Sequence, residues 1–387
     1  MPTPRKRKAV KNGIAYTGKG WSYVLRVPDP KTGKTKPKWV GGFDSEKSAK
    51  LARDKARVAI ANRDYVPAEK VTLGEFLDKW ITIHSQRIKP TTADRYSHLL
   101  RAYIIPKLGG IGIQNLRPSH VQQFYTDLLT NPGLNGEPLS SRTVHFAGSI
   151  LKKALKYAVD VDGLLNSNPA SKVPLPSDNP PVITPWSLQE LRKFLDVAKS
   201  HRLYFFFWLS AFTGARRGEL LALRWSDFDG SYITITKSRT KAGNKIVELE
   251  STKGGNNGQR RVKLDPATVE QFNSHRKRQI TERLALGELW NETGYVFVQD
   301  NGLPLYPNTP STVFRKLIKS AGLRATRVHD LRHLHATELL EQGEQLHVVA
   351  ERLGHRDAMV TATIYAHVTS RQAETASNRF ANAFSNV

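Results

Sequence analysis

The chain has 387 residues, enough for two or three domains each with its own core, and its 39% hydrophobic and 24% charged residues describe a globular, water-soluble composition. It holds no cysteine, which excludes disulfide and thiol chemistry, and no apolar run reaches the roughly 18 residues of a membrane helix. Lys and Arg outnumber Asp and Glu by 59 to 34, a net charge of +25, so the expected partner is a polyanion, nucleic acid before anionic membrane.

The charge is uneven. Residues 1–70 carry 18 Lys/Arg against 6 Asp/Glu, about half of the whole excess. The opening MPTPRKRKAVKNG is basic but has no apolar stretch behind it, so it does not read as a secretory signal, and a cytoplasmic location is expected. WSYVLRV and PKWVGGF read as strands joined through the turn cluster PDPKTGKTK, followed by a helix from Ser45 to about Asn62. Residues 1–65 are therefore expected to form a small α+β domain, a three-stranded sheet plus one helix. Its basic residues interleave with Trp21, Tyr23 and Trp39, which suits contact with DNA. Arg5, Lys6, Arg7 and Lys8 are the candidate backbone contacts, and Arg26 and Lys38 the candidate groove contacts.

Residues 71–175 read as an all-α bundle. TLGEFLDKWITIH begins with a Thr cap and a Glu three residues on. KPTTADRYSHLLRAYIIPKLG, RPSHVQQFYTDLL and SSRTVHFAGSILKKALKYAVD follow as amphipathic helices, with basic and hydroxyl residues at their starts where backbone N–H groups can hold phosphates. The proline-rich NSNPASKVPLPSDNPPVITPWS then reads as a linker.

Residues 176–387 form the third domain, expected to be mainly α with a small antiparallel sheet. In TGARRGELLALRW the glycine breaks an apolar helix, and the helix that restarts carries Arg216 near its first turn, with Glu219 placed to hold it. SYITITK, KIVELESTK and RRVKLD read as three strands, the last two joined by GGNNGQ, with Lys253 at the tip. VHDLRHLHATELLEQGEQLHVVAERLGHRDAMVTATIYAHV gathers His329, Arg332, His333, His335, His347, His355 and Tyr365. His329 and His333 share a helix face, yet no Glu-x-x-His or carboxylate spacing accompanies them and an arginine lies between, so no metal is expected. The better pairing places His329 and Arg332 on one face, ends the next helix at Gly354, and delivers His355 just beyond it.

In that order, Arg216, Lys253, His329-Asp-Leu-Arg332, Leu353-Gly-His355 and Tyr365 resemble the set of the tyrosine recombinase family of phage integrases, and the three-part layout is similar to integrases of temperate phages and integrative plasmids. Lys237, Lys241 and Lys245 stand near enough in sequence to be alternatives to Lys253. The resemblance implies an arm-type DNA-binding domain, a core-binding domain and a catalytic domain with a C-terminal tail. It further implies a site-specific recombinase that cleaves and rejoins DNA through a 3′-phosphotyrosine on Tyr365, with Arg216 and Arg332 clamping the phosphate, His329 and His355 managing protons, and Lys253 protonating the leaving 5′ oxygen. No cofactor is implied. The implied partners are double-stranded attachment sites, a homotetramer formed on DNA from a chain that is monomeric or weakly associated in solution, a host bending factor and a directionality factor, with the protein in the bacterial cytoplasm at the nucleoid. A type IB topoisomerase shares this chemistry, but the separate basic N-terminal domain argues against it. The complete six-residue set argues against a catalytically inactive architectural protein.

Overall fold

The computed structural model describes residues 13–16, 20–28, 35–61, 69–131, 133, 136–177, 185–250 and 259–355. They fall into two compact units, Met1–Pro180 and Pro181–Val387.

In the first unit an antiparallel sheet, β1 (Ile14–Tyr16), β2 (Trp21–Pro28) and β3 (Thr35–Phe43), runs in that order beside α1 (Glu46–Ala61). The short β1 supplies the strand that composition alone left unplaced. Alternation on β2 sends Tyr23 and Leu25 into a small core with Ile14 and Ala49. The register pairs Leu25 with Lys38 and Arg26 with Pro37. Cross-strand partners share a face, so Arg26, which is exposed, lies on the face away from the core. Half-buried Lys38 lies on the Leu25 face, so the two expected groove contacts occupy opposite faces.

A second core in this unit comes from α2 (Leu73–His84), α3 (Pro90–Leu99), α4 (Ile105–Leu108), α5 (Pro118–Thr130) and α6 (Ser141–Asp160), around Leu77, Trp80, Phe124, Tyr125 and Leu151. The expected cap of α2 is present: the Glu75 N–H donates to Thr72 Oγ1 at 3.3 Å, and the Thr72 N–H to Glu75 Oε2 at 2.8 Å. Between α3 and α4, Leu100–Ile104 form a π-helical turn in which the Ile105 N–H reaches back to Leu100 O. Pro106, which has no N–H and cannot follow a regular helix interior, accounts for the widening.

The second unit is built on aromatic burial. α7 (Leu188–Ala198), α8 (Tyr204–Thr213) and α9 (Arg217–Ala222) precede four strands, and α10 (Pro266–Leu286), α11 (Thr309–Ala321), α12 (Asp330–Glu341) and α13 (Leu346–Leu353) follow them. Phe194 of α7, Phe206 and Phe207 of α8 and Phe314 of α11 are almost wholly buried together, each contributing about 1.5–3 kcal/mol of transfer free energy. The strands differ from the sequence reading. β4 (Tyr232–Ile235) pairs with β7 (Arg260–Lys263), while β5 (Ser238–Ala242) pairs with β6 (Lys245–Leu249) across the turn at Gly243-Asn244. There are thus four strands in two ladders, and RRVKLD pairs with SYITITK, not with KIVELESTK. β5 went unread because SRTKA has no apolar alternation; its partner β6 and the side of α9 hold it in place. Among the described residues no helix is long and apolar enough to cross a membrane.

Candidate active site

α8 stops at Gly214, whose φ of 63° is left-handed. A Cβ there would come within 2.6 Å of Leu353 Cδ2 and 2.9 Å of His335 Cδ2, so both conformation and space demand glycine. Two residues later Arg216 sits at the start of α9 in extended geometry. The Glu219 carboxylate accepts its N–H at 2.8 Å and its Nη1 at 2.8 Å. Glu219 is 2% exposed, and Arg260, entering from β7, is its second partner at 2.8 Å. Burial raises the Glu219 pKa, but the two arginines and the Arg216 N–H outweigh it and hold the group below the usual carboxylate range, as the anion.

His329 stands at the N-cap of α12 and Arg332 one turn in, 2% exposed. Arg332 donates from Nη1 to Gly214 O at 2.8 Å and from Nη2 to Leu353 O at 2.7 Å. It therefore pins the corner after α8 to the end of α13. That end is Gly354, with φ 68°, and the His355 N–H closes the cap on Ala350 O at 2.9 Å. Arg216 Nη2 also approaches Gly354 O, at 3.4 Å. The result is one cleft of about 760 Å³ lined by Arg216, Arg332, His329 and His355. Arg217, Arg239, Arg315 and Arg327 add to its lining, and its acidic member, Glu219, is already shared by two arginines. Such a cleft fits an anion with a delocalised charge.

Both histidines are held neutral at pH 7. Burial first, then His333 and Arg332, push the His329 pKa down to about 4. Burial, Arg332, Arg216 and Arg260 push His355 down to about 4 as well. A neutral imidazole can donate from one nitrogen and accept at the other. A bound phosphate would oppose the arginine field and raise both.

Four of the six expected catalytic residues thus converge. Lys253 and Tyr365 lie outside the described residues, as do Arg5, Lys6, Arg7 and Lys8. The alternative lysines do not line the cleft: Lys237 pairs with Glu248 at 3.8 Å, Lys241 lies 5.9 Å from the Tyr306 ring, and Lys245 is exposed. Sequence reasoning missed Arg260 and Arg352, and it noted His335 without giving it a role. Arg352 Nε donates to His335 Nε2 at 3.1 Å, and burial with the nearby Arg352 pushes His335 down to about 3. The signal for Arg260 was the in–out alternation of RRVK, where Arg261 faces outward to Asp229. Among the described residues no group of His, Asp or Glu side chains is arranged to hold a metal ion.

Three family models match in succession: an Arm DNA-binding domain over residues 14–58, a Phage integrase N-terminal SAM-like domain over 72–129 and the Phage integrase family over 182–372. A XerC-like tyrosine recombinase of Caldanaerobacter subterraneus subsp. tengcongensis is 29% identical over 95% of this chain and 96% of its own. The ICEBs1 integrase of Bacillus subtilis is 27% identical over 72% of this chain and 74% of its own. Among solved structures, the Tn1549 transposon integrase in complex with a circular intermediate DNA superposes with a TM-score of 0.66 at 20% identity, over 80% of this chain and 99% of that one. A lambda integrase tetramer bound to a Holliday junction gives 0.58 at 18% identity, over 93% and 96%. At these identities the structures establish a shared fold.

Proposed function

The chain belongs to the phage integrase family and is a site-specific tyrosine recombinase, a DNA breaking and rejoining enzyme, and we propose that Arg216, Lys253, His329, Arg332, His355 and Tyr365 carry its chemistry. The observation that supports this reading is the convergence of Arg216, Arg332, His329 and His355 on one cationic cleft. Arg216 and Arg332 hold the non-bridging oxygens of the scissile phosphate, where negative charge accumulates as phosphorus is attacked. Tyr365 Oη attacks in line, the Tyr–O–P bond forms and the P–O5′ bond breaks. The phenol, with an ordinary pKa of about 10, gives up its proton as the bond forms. Neutral His355 and His329 are placed to accept it or to hydrogen-bond the phosphate. Lys253 protonates the departing 5′ oxygen. The phosphodiester is exchanged for a phosphotyrosine, so the reverse attack by a 5′ hydroxyl rejoins the strand without a nucleotide.

The same reading assigns residues 1–65 to arm-site DNA, 71–175 to core-site DNA and 176–387 to catalysis, with strand exchange in a homotetramer on DNA. The solved lambda relative is a tetramer on a Holliday junction. Bending and directionality factors, and residence at the nucleoid, belong to this proposal too. The deciding experiment is a nicked suicide substrate from the element's own flanks. The wild-type chain should become covalently attached, and Tyr365→Phe should bind the same DNA without forming the adduct. Adduct at the wild-type level in Tyr365→Phe would remove Tyr365 from the mechanism.

A further inference from the structure

Arg260 opens β7 with its side chain only 5% exposed. It donates from Nη2 to Glu219 Oε2 at 2.8 Å and from Nε to Arg352 O at 2.7 Å. It also lies against Gly354, where a Cβ would come within 2.7 Å of its Nη1. One planar side chain thereby joins three segments: the start of β7, α9 through Glu219, and the end of α13 that presents His355. A buried cation is a costly way to fill space, since an apolar side chain of similar volume often serves the fold as well or better.

The charges give it another purpose. Arg216 and Arg260 share one carboxylate, so the trio carries a net single positive charge. Of the two arginines, Arg216, whose side chain is 23% exposed, is the one that lines the cleft; Arg260 lies beneath. Without Arg260, Glu219 would be neutralised by Arg216 alone. Arg216 would then meet the phosphate with its charge already spent, leaving the clamp to rely on the charge of Arg332, which is held by two carbonyls.

We propose that Arg260 is a positioning residue for strand cleavage: it takes up the Glu219 carboxylate so that the charge of Arg216 is left for the scissile phosphate, and it holds the Arg352 carbonyl so that the turn before His355 is fixed. The proposal rests on the assignment of Arg216 to the phosphate clamp.

The test uses the full chain and single-turnover formation of the covalent adduct on a nicked suicide substrate. Arg260→Gln should slow adduct formation by about ten-fold or more, as loss of a transition-state contact does, with binding to the same DNA unchanged. Arg260→Lys keeps the cation but reaches one partner instead of two, so it should fall between Arg260→Gln and wild type. The double variant Arg260→Gln/Glu219→Gln returns the charge of Arg216 and removes the buried anion. It should therefore cleave faster than Arg260→Gln, and it should fold at least as well as the single variant because no buried carboxylate is left with half of its partners. A substrate with a 5′-bridging sulfur, whose thiolate leaves without a proton, should not rescue Arg260→Gln, because the defect lies at the clamp. Wild-type rates in Arg260→Gln overturn the proposal, as does a double variant slower than the single or a rescue by the sulfur substrate. Absence of adduct with the wild-type chain overturns the recombinase reading and the proposal together; a wild-type adduct with unimpaired Arg260→Gln overturns the proposal alone.

Discussion

The two arginines proposed as the phosphate clamp are held in opposite ways, and their variants should separate accordingly. Arg332 is gripped by the carbonyls of Gly214 and Leu353, whereas Arg216 leans on the Glu219 carboxylate at the cleft edge. Lysine keeps the charge but lacks the planar fork. Arg216→Lys and Arg332→Lys should each lower suicide-substrate cleavage by about 2.7–4 kcal/mol of transition-state stabilisation. Arg332→Lys should also lower the midpoint of denaturant unfolding, because two buried carbonyls lose their donor; Arg216→Lys should leave the midpoint nearly in place. The histidines give a pH signature. His275, His329 and His355 have folded pKa values lowered from 6.5 to about 4, chiefly by burial, so the unfolded chain binds protons before the folded chain does. The stability they confer is complete above about pH 6.5 and is lost as the pH falls toward 4; a melting temperature flat across that interval would contradict the burial. At this scale the sequence was legible where a motif is local, as in His329-Asp-Leu-Arg332 or Leu353-Gly-His355. Arg260 was not, because its contact with Glu219 spans 41 positions and depends on which way one strand residue points.

The joints between elements set the site as much as its side chains do. The glycine break after LYFFFWLSAF could be read because an apolar helix met Thr-Gly-Ala-Arg, and Gly214 does turn the chain left-handed there. What the sequence could not disclose is that the same corner receives Leu353, His335 and Arg332 from α12 and α13. Gly214→Ala should therefore lose at least about 1–2 kcal/mol of stability from the left-handed conformation alone. Displacement of Leu353 should add to that loss and carry His355 out of line, so cleavage should fall further than the unfolding midpoint implies. Unfolding and adduct formation measured on one preparation decide it, and an Ala variant as stable and active as wild type would show that the corner is not under constraint. The strands teach the reverse lesson. SRTKA carries no period-two signal, and its place in a ladder follows only from Lys245–Leu249 folding back on it. Pairing of RRVK with YITI crosses the segment that holds Lys253, a long-range choice that turn residues do not specify.

Along the chain, the positive excess is concentrated away from the candidate catalytic residues. About half of the positive excess lies in the first 70 residues, while every candidate catalytic residue lies between Arg216 and Tyr365. The N-terminal sheet closes its own small core around Tyr23 and Leu25, separate from the core around Trp80 and Phe124. A chain beginning near Val71 should therefore fold and still cleave a core-site suicide substrate. If residues 1–65 read a separate arm site, they add affinity for long attachment-site DNA through effective concentration, not through a shared pocket. Their removal should sharply reduce full recombination and make the salt dependence of binding shallower, as each lost phosphate contact removes close to one unit of the logarithmic slope. Within the segment, neutralising Arg5, Lys6, Arg7 and Lys8 should weaken binding to all sequences alike. Arg26→Ala, on the outer face of the sheet, should alter sequence preference, and Lys38→Ala, on the core-side face, should act less on preference than on the fit of the sheet. Footprints of the full and shortened chains on the same attachment-site DNA provide the measurement. Identical protection with an identical salt slope would show that the basic N-terminal segment does not read DNA of its own.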